Sequence, residues 1–119
     1  MTKEHSACQS DYFVLKPKHS AFYSTTLDTL LEYLGAHRVI LAGLAGNICI
    51  LFSANDAYMR DLELFVPADC IASNTAEENR YALDAMQKIL KADITASTDL
   101  DLEALKRERV ERPVTIPPS

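Results

Sequence analysis

Short apolar runs alternate along this chain with longer stretches in which leucines and alanines recur every three or four positions. Tyr12-Phe13-Val14-Leu15 is a run of β-formers stopped by Lys16-Pro17, the pattern of a buried strand. Ser24, Thr25 and Thr26 then offer caps for a helix with Leu27, Leu30, Leu31 and Leu34 on one face, and Gly35 marks its end. Val39-Ile40-Leu41-Ala42 reads as a second buried strand ending at Gly43. A tight turn leads from it into a helix over about 48–60. Leu62 to Val66 is a third strand, closed by Pro67. Thr75 and Glu78 stand at capping-box spacing before a helix through Ala82, Leu83, Met86 and Leu90. Ile94 to Ala96 is a short fourth strand, and Leu102 to Arg109 a last, charged helix.

Strand and helix in this alternation build right-handed βαβ units. The expected fold is therefore a three-layer α/β/α arrangement, Rossmann-like, around a parallel sheet shortened to about four strands. Residues 11–98 would form that domain. Residues 1–10 lack any pattern and are expected to be irregular. Residues 99–119 carry the charged helix and the Pro-rich tail ERPVTIPPS, expected to be extended or disordered.

Composition narrows the function classes. Twelve basic and seventeen acidic residues leave a net charge of −5, the opposite of a nucleic-acid footprint. The least charged stretch, Val39 to Ala54, is interrupted by Gly43, Gly46 and Asn47. It falls short of the ~20 apolar residues of a membrane span. The opening MTKEHSACQSD has no apolar core of a secretory leader. Three cysteines without CxxC spacing argue against a disulfide framework or a thiol-redox protein, and for a reducing, cytoplasmic setting.

Two stretches can carry chemistry. In GLAGNICILFSANDAYMRD, Cys49 sits at the start of a helix that directly follows a strand, the carboxyl edge where α/β proteins gather their sites. The free N–H groups and dipole there favour a thiolate and could hold an oxyanion. The plainer alternative is a small apolar residue packed under the sheet. In LKPKHSAFYSTTLD, Lys16 ends a strand on the same edge and could stabilise developing negative charge. A solvated strand-end lysine is the commoner case. Lys18 and His19 read as surface or turn residues.

Together LKPKHSAFYSTTLDTLLEYLG, VILAGLAGNICILFSANDAYMRD and FVPADCIAS resemble the isochorismatase-like cysteine hydrolases, which include nicotinamidases, N-carbamoylsarcosine amidohydrolases and ureidoacrylate amidohydrolases. Lys16, Ser20, Ala21, Phe22, Gly43, Cys49, Asp56 and Ala57 carry the likeness, which extends over about residues 11–97. The resemblance implies an Asp-Lys-Cys triad. Cys49 would attack the carbonyl of an amide or related C–N bond in a small molecule, and Lys16 would stabilise charge and assist proton transfer. It also implies a non-proline cis peptide at Leu44–Ala45 and an oxyanion hole from the N–H groups of Ala45 and Cys49.

The family's aspartate ends a first strand ahead of the lysine strand. Here about 15 residues precede Lys16, and Asp11 starts that strand rather than ending one. The expectation is a family domain without its N-terminal strands, with no metal and no cofactor. It would be either a hydrolase with an incomplete triad or an inactive relative acting as a binding or assembly module. Asp69, beyond the third strand, is a candidate substitute base, although a loop-capping aspartate is commoner there. Asp56 is expected to bond a neighbouring loop. Cys70 would be a buried filler, and Cys8 would lie in the irregular N-terminus. His5, His19 and His37 show no metal-ligand spacing. A shortened sheet exposes apolar faces, so self-association or a partner chain is expected beside the small-molecule substrate.

Overall fold

The computed structural model describes residues 11–107. Its elements run α1 (Leu27–Leu34), β1 (Arg38–Ile40), β2 (Gly43–Leu44), a π-helical turn (Gly46–Ile50) continuing into α2 (Leu51–Met59), β3 (Glu63–Phe65), β4 (Ile71–Ala72), α3 (Ala76–Ile89) and α4 (Leu102–Arg107). A single 3-10 turn covers Ser97–Asp99. The expected irregular segment 1–10, with His5 and Cys8, and residues 108–119, with the end of the expected last helix and the Pro-rich tail, lie outside the described residues.

Among the described residues the strands pair in parallel. β1 runs beside β3 with Arg38, Val39 and Ile40 opposite Glu63, Leu64 and Phe65. β2 runs beside β4 with Gly43 and Leu44 opposite Ile71 and Ala72. The first register is reinforced by an ion pair of 2.8 Å between Arg38 and Glu63, directly opposite each other. Arg38 also donates to the Leu105 carbonyl at 2.6 Å, which ties α4 to the sheet. Between the two pairs, β1–β2 advances three residues while β3–β4 advances six. The excess loops out around Pro67 and Asp69.

The helices follow their sequence signals. Thr25, one residue ahead of the cap position, accepts the Leu27 amide at 3.2 Å. Gly35 closes α1 in the left-handed region at φ 65°. The Thr75 hydroxyl accepts the Glu78 amide at 3.1 Å, the first half of the capping-box pattern. The core is small and continuous: Ala54 and Ala57 of α2, Leu64 and Val66 from the β3 region, and Ala82 and Met86 of α3 are buried together, with Leu27 and Leu31 of α1 packed against them. Small side chains on α2 let α3 and the strands approach closely.

Two expected strands need correction. Tyr12 to Leu15 is not a buried strand: Tyr12, Phe13 and Leu15 are 59%, 78% and 93% exposed. An extended run becomes a strand only beside a partner, and among the described residues none pairs with it. Ile94 to Ala96 is reduced to a single parallel bridge, Phe65 to Asp93. Asp93 turns its carboxylate onto the amide and hydroxyl of Thr95, and this side-chain turn ends the ladder.

Candidate active site

The cysteine side of the site is built on backbone. Gly43 holds φ at +117°, a conformation that L side chains rarely adopt, and its N–H donates to the Cys70 carbonyl at 2.9 Å. The Leu44–Ala45 peptide that follows is cis. The Ala45 carbonyl then accepts the amides of Ile48 and Ile50, both at 3.1 Å, which starts the helix as a wide turn around Cys49. The loop sits hard against α3 and the strand before it. A Cβ on Gly46 would lie 2.5 Å from Asn79 Oδ1 and 2.9 Å from Ile71 Cδ1, so any side chain there forces Asn79 and Ile71 to shift. The Asn47 amide donates to Ser73 Oγ at 3.2 Å, and that hydroxyl donates to Asn79 Oδ1 at 2.9 Å.

The lysine side is held by side chains. Ser20, buried, donates a short hydrogen bond to Asp56 of α2. The Ala21 amide donates to Ser53 Oγ at 2.9 Å. Phe22 is buried with the Arg60 guanidinium over its ring, 4.6 Å from the centroid. Arg60 in turn pairs with Asp28 of α1 at 2.6 Å. The hydrogen bond it donates to Asp28 holds that guanidinium still more firmly in its charged form. Asp56 thus serves the turn carrying the lysine, as its expected loop contact required.

These two sides meet at one sulfur. Lys16 Nζ donates to Cys49 Sγ at 3.4 Å and to the Lys18 carbonyl at 3.2 Å. His19 Nδ1 is 4.0 Å from the same sulfur, and its ring stacks on Phe52 with centroids 6.0 Å apart. Cys49 is partly exposed, so a small molecule can reach it. A cation beside the sulfur offsets negative charge that develops there. The structure brings together Lys16, Cys49 and the Leu44–Ala45 loop. It adds His19, which is an exposed residue in the bend after Lys16, as expected of a surface or turn residue, but whose ring also reaches the sulfur; the available signal was its place three residues after Lys16 in the same short stretch.

Asp69 is directed elsewhere. Its carboxylate accepts the Ser97 amide at 2.8 Å and the Ser97 hydroxyl at 2.5 Å. The Ser97 hydroxyl above all holds it below the usual carboxylate range, which makes it a poor base. Cys70 is not a buried filler either: it is partly exposed and donates weakly to Asp69. Among the described residues no group of three or more His, Cys, Asp or Glu side chains is arranged to hold a metal ion. None of the described helices is long and apolar enough to cross a membrane.

The fold recurs in known proteins. An N-carbamoylsarcosine amidase from Thermoplasma acidophilum superposes with a TM-score of 0.75 at 28% identity, over 84% of this chain and 56% of its own. A nicotinamidase from Bacillus subtilis gives 0.67 at 29% identity, over 69% of this chain and 45% of its own. In sequence, an uncharacterised isochorismatase family protein of Bacillus subtilis is 54% identical over 91 residues. That match takes in 76% of this chain and 50% of the relative, so the chain spans half the length of this relative. Residues 2–99 match the Isochorismatase domain, and the chain belongs to the isochorismatase family.

Proposed function

We propose that this chain carries the nucleophile and the cation of a small-molecule hydrolase that cleaves an amide or related C–N bond. The observation that supports the reading is the 3.4 Å approach of Lys16 Nζ to Cys49 Sγ at the first turn of the helix after β2. In this reading the Cys49 thiolate adds to the substrate carbonyl and its electron pair moves onto oxygen. The N–H groups of Ala45 and Cys49 receive that oxyanion, and the Lys16 ammonium offsets the added charge. Collapse expels the amine with a proton and leaves an acyl-thioester at Cys49. Water then releases the acid and returns the thiolate. Amide-cleaving relatives on the same fold agree with this bond class; the substrate itself is left to a panel.

The test joins reactivity to turnover. Iodoacetamide with peptide mass mapping is expected to label Cys49 ahead of Cys70 and Cys8, because Lys16 donates to the Cys49 sulfur. Amine release from a panel of nicotinamide, carbamoyl and ureido compounds is expected to fall to background in Cys49→Ala and by about 10²–10⁴ in Lys16→Met. Equal labelling of all three cysteines with no amine release refutes the reading in favour of a binding or assembly module.

A further inference from the structure

The reaction needs a proton given to the leaving nitrogen and another removed from the incoming water. Lys16 is already committed, with one N–H on Cys49 Sγ and one on the Lys18 carbonyl. A second titratable group lies against the same sulfur. His19 Nδ1 is 4.0 Å from Cys49 Sγ, at the limit of a sulfur hydrogen bond and on the atom that reacts.

The ring is exposed but held in place. It lies on Phe52, interplanar angle 23°, and Phe52 follows Cys49 by three residues, one helical turn along the same face. The next residue, Ser20, is buried and bonded to Asp56, and the one after it is bonded through its amide to Ser53. The histidine therefore keeps its place relative to the cysteine through three contacts to a single helix. An imidazole is also the side chain best matched to carrying a proton both ways near neutral pH.

We propose that His19 is a catalytic residue of this site, the proton carrier for both halves of the reaction, with Lys16 as the fixed positive charge. The proposal rests on the hydrolase reading above. In this cycle the proton starts on His19 and Cys49 reacts as the thiolate. The sulfur–carbon bond forms and the carbonyl pair moves to oxygen. As that pair returns, the carbon–nitrogen bond breaks, and the nitrogen takes the proton from His19 and leaves as amine. Neutral His19 then takes a proton from water while hydroxide adds to the thioester. The carbon–sulfur bond breaks, the acid departs, and thiolate and imidazolium are restored.

The experiment separates the two halves on the full chain with p-nitrophenyl acetate, whose leaving group needs no proton. Acetylation of Cys49 is read from the nitrophenolate burst and its loss from intact mass. In His19→Ala the burst rate is expected to stay within about tenfold of the parent. Deacetylation is expected to slow by about 10²-fold or more and to recover when free imidazole is added. Deacetylation at the parent rate would overturn the proposal. So would a parallel fall in both rates without imidazole rescue, since that marks a ring that only supports the turn. A parent protein with no burst above Cys49→Ala would instead remove the hydrolase reading on which the proposal stands.

Discussion

The two sides of the site are held by different physics. The cysteine loop is fixed from behind by backbone hydrogen bonds and by a glycine pressed onto α3, with Ile71 from the core among its walls. The lysine arm is latched to α2 by polar side chains, Ser20 to Asp56 and Ala21 to Ser53, and its first residues are largely exposed. Backbone and packing locate the nucleophile, while a few removable hydrogen bonds locate the cation and the imidazole. Stability and reactivity should therefore separate on one side of the site and not on the other.

Gly46→Val tests the coupled side and carries the largest expected effect. The added carbons meet Asn79 and Ile71 at 2.5–2.9 Å from the first of them. Overpacking of this kind is expected to cost about 3 kcal/mol in denaturant unfolding and to abolish preferential Cys49 alkylation together with it. A variant of parent stability with unlabelled Cys49 would break the link.

Asp56→Ala probes the separable side. It leaves the buried Ser20 hydroxyl without its acceptor, for a loss of about 1–2 kcal/mol. Cys49 alkylation should slow about tenfold in a protein that remains folded, because the Coulomb help of Lys16 weakens as the arm swings away. Asp56→Asn keeps an acceptor oxygen and should recover most of both. Equal reactivity in Asp56→Ala and the parent would show that the arm needs no latch.

The smallest effect belongs to Asp69 and is a pH effect. Its folded carboxyl titrates below its unfolded value of ~3.9 because Ser97 donates to the ionised form. That contribution is complete above the unfolded value and disappears as the pH falls through the lower folded one. Asp69→Asn should therefore flatten the acid end of the stability curve and leave Cys49 chemistry at neutral pH unchanged. A loss of amine release in Asp69→Asn would instead give this carboxylate a part in the reaction.

What could be read from the residues divides along the same line. Local signals were sound where the structure depends on neighbours in sequence: Gly35 ends α1, and Thr75 caps α3 through Glu78. β3 lies within its expected apolar run, and β1 overlaps its run at Val39 and Ile40. Tyr12 to Leu15 failed because a strand is a relation between two segments, and apolar β-formers alone do not supply the second. The helix expected from Ile48 begins instead as a π-helical turn at Gly46, since the Ala45 carbonyl takes two amides at once. Lys16 beside Cys49 was legible through family resemblance. His19 was not, because its position depends on a stacking partner, Phe52, that lies 33 residues along the chain.

Arg60 joins three parts of the molecule that share no backbone: the aspartate of α1, the end of α2, and the phenylalanine ring two residues after the latched serine. A guanidinium can do this because it is flat enough to cover a ring and forked enough to hold carboxylate and carbonyl at its rim. The link from α1 through this group is ionic and half exposed, so dissolved salt reaches it. The hydrogen bonds behind the cysteine loop are between neutral groups and feel no such screening. Ionic strength thus acts as a dial on one arm of the site alone: it loosens the grip of α1 on the turn that carries the lysine and leaves the nucleophile where it is.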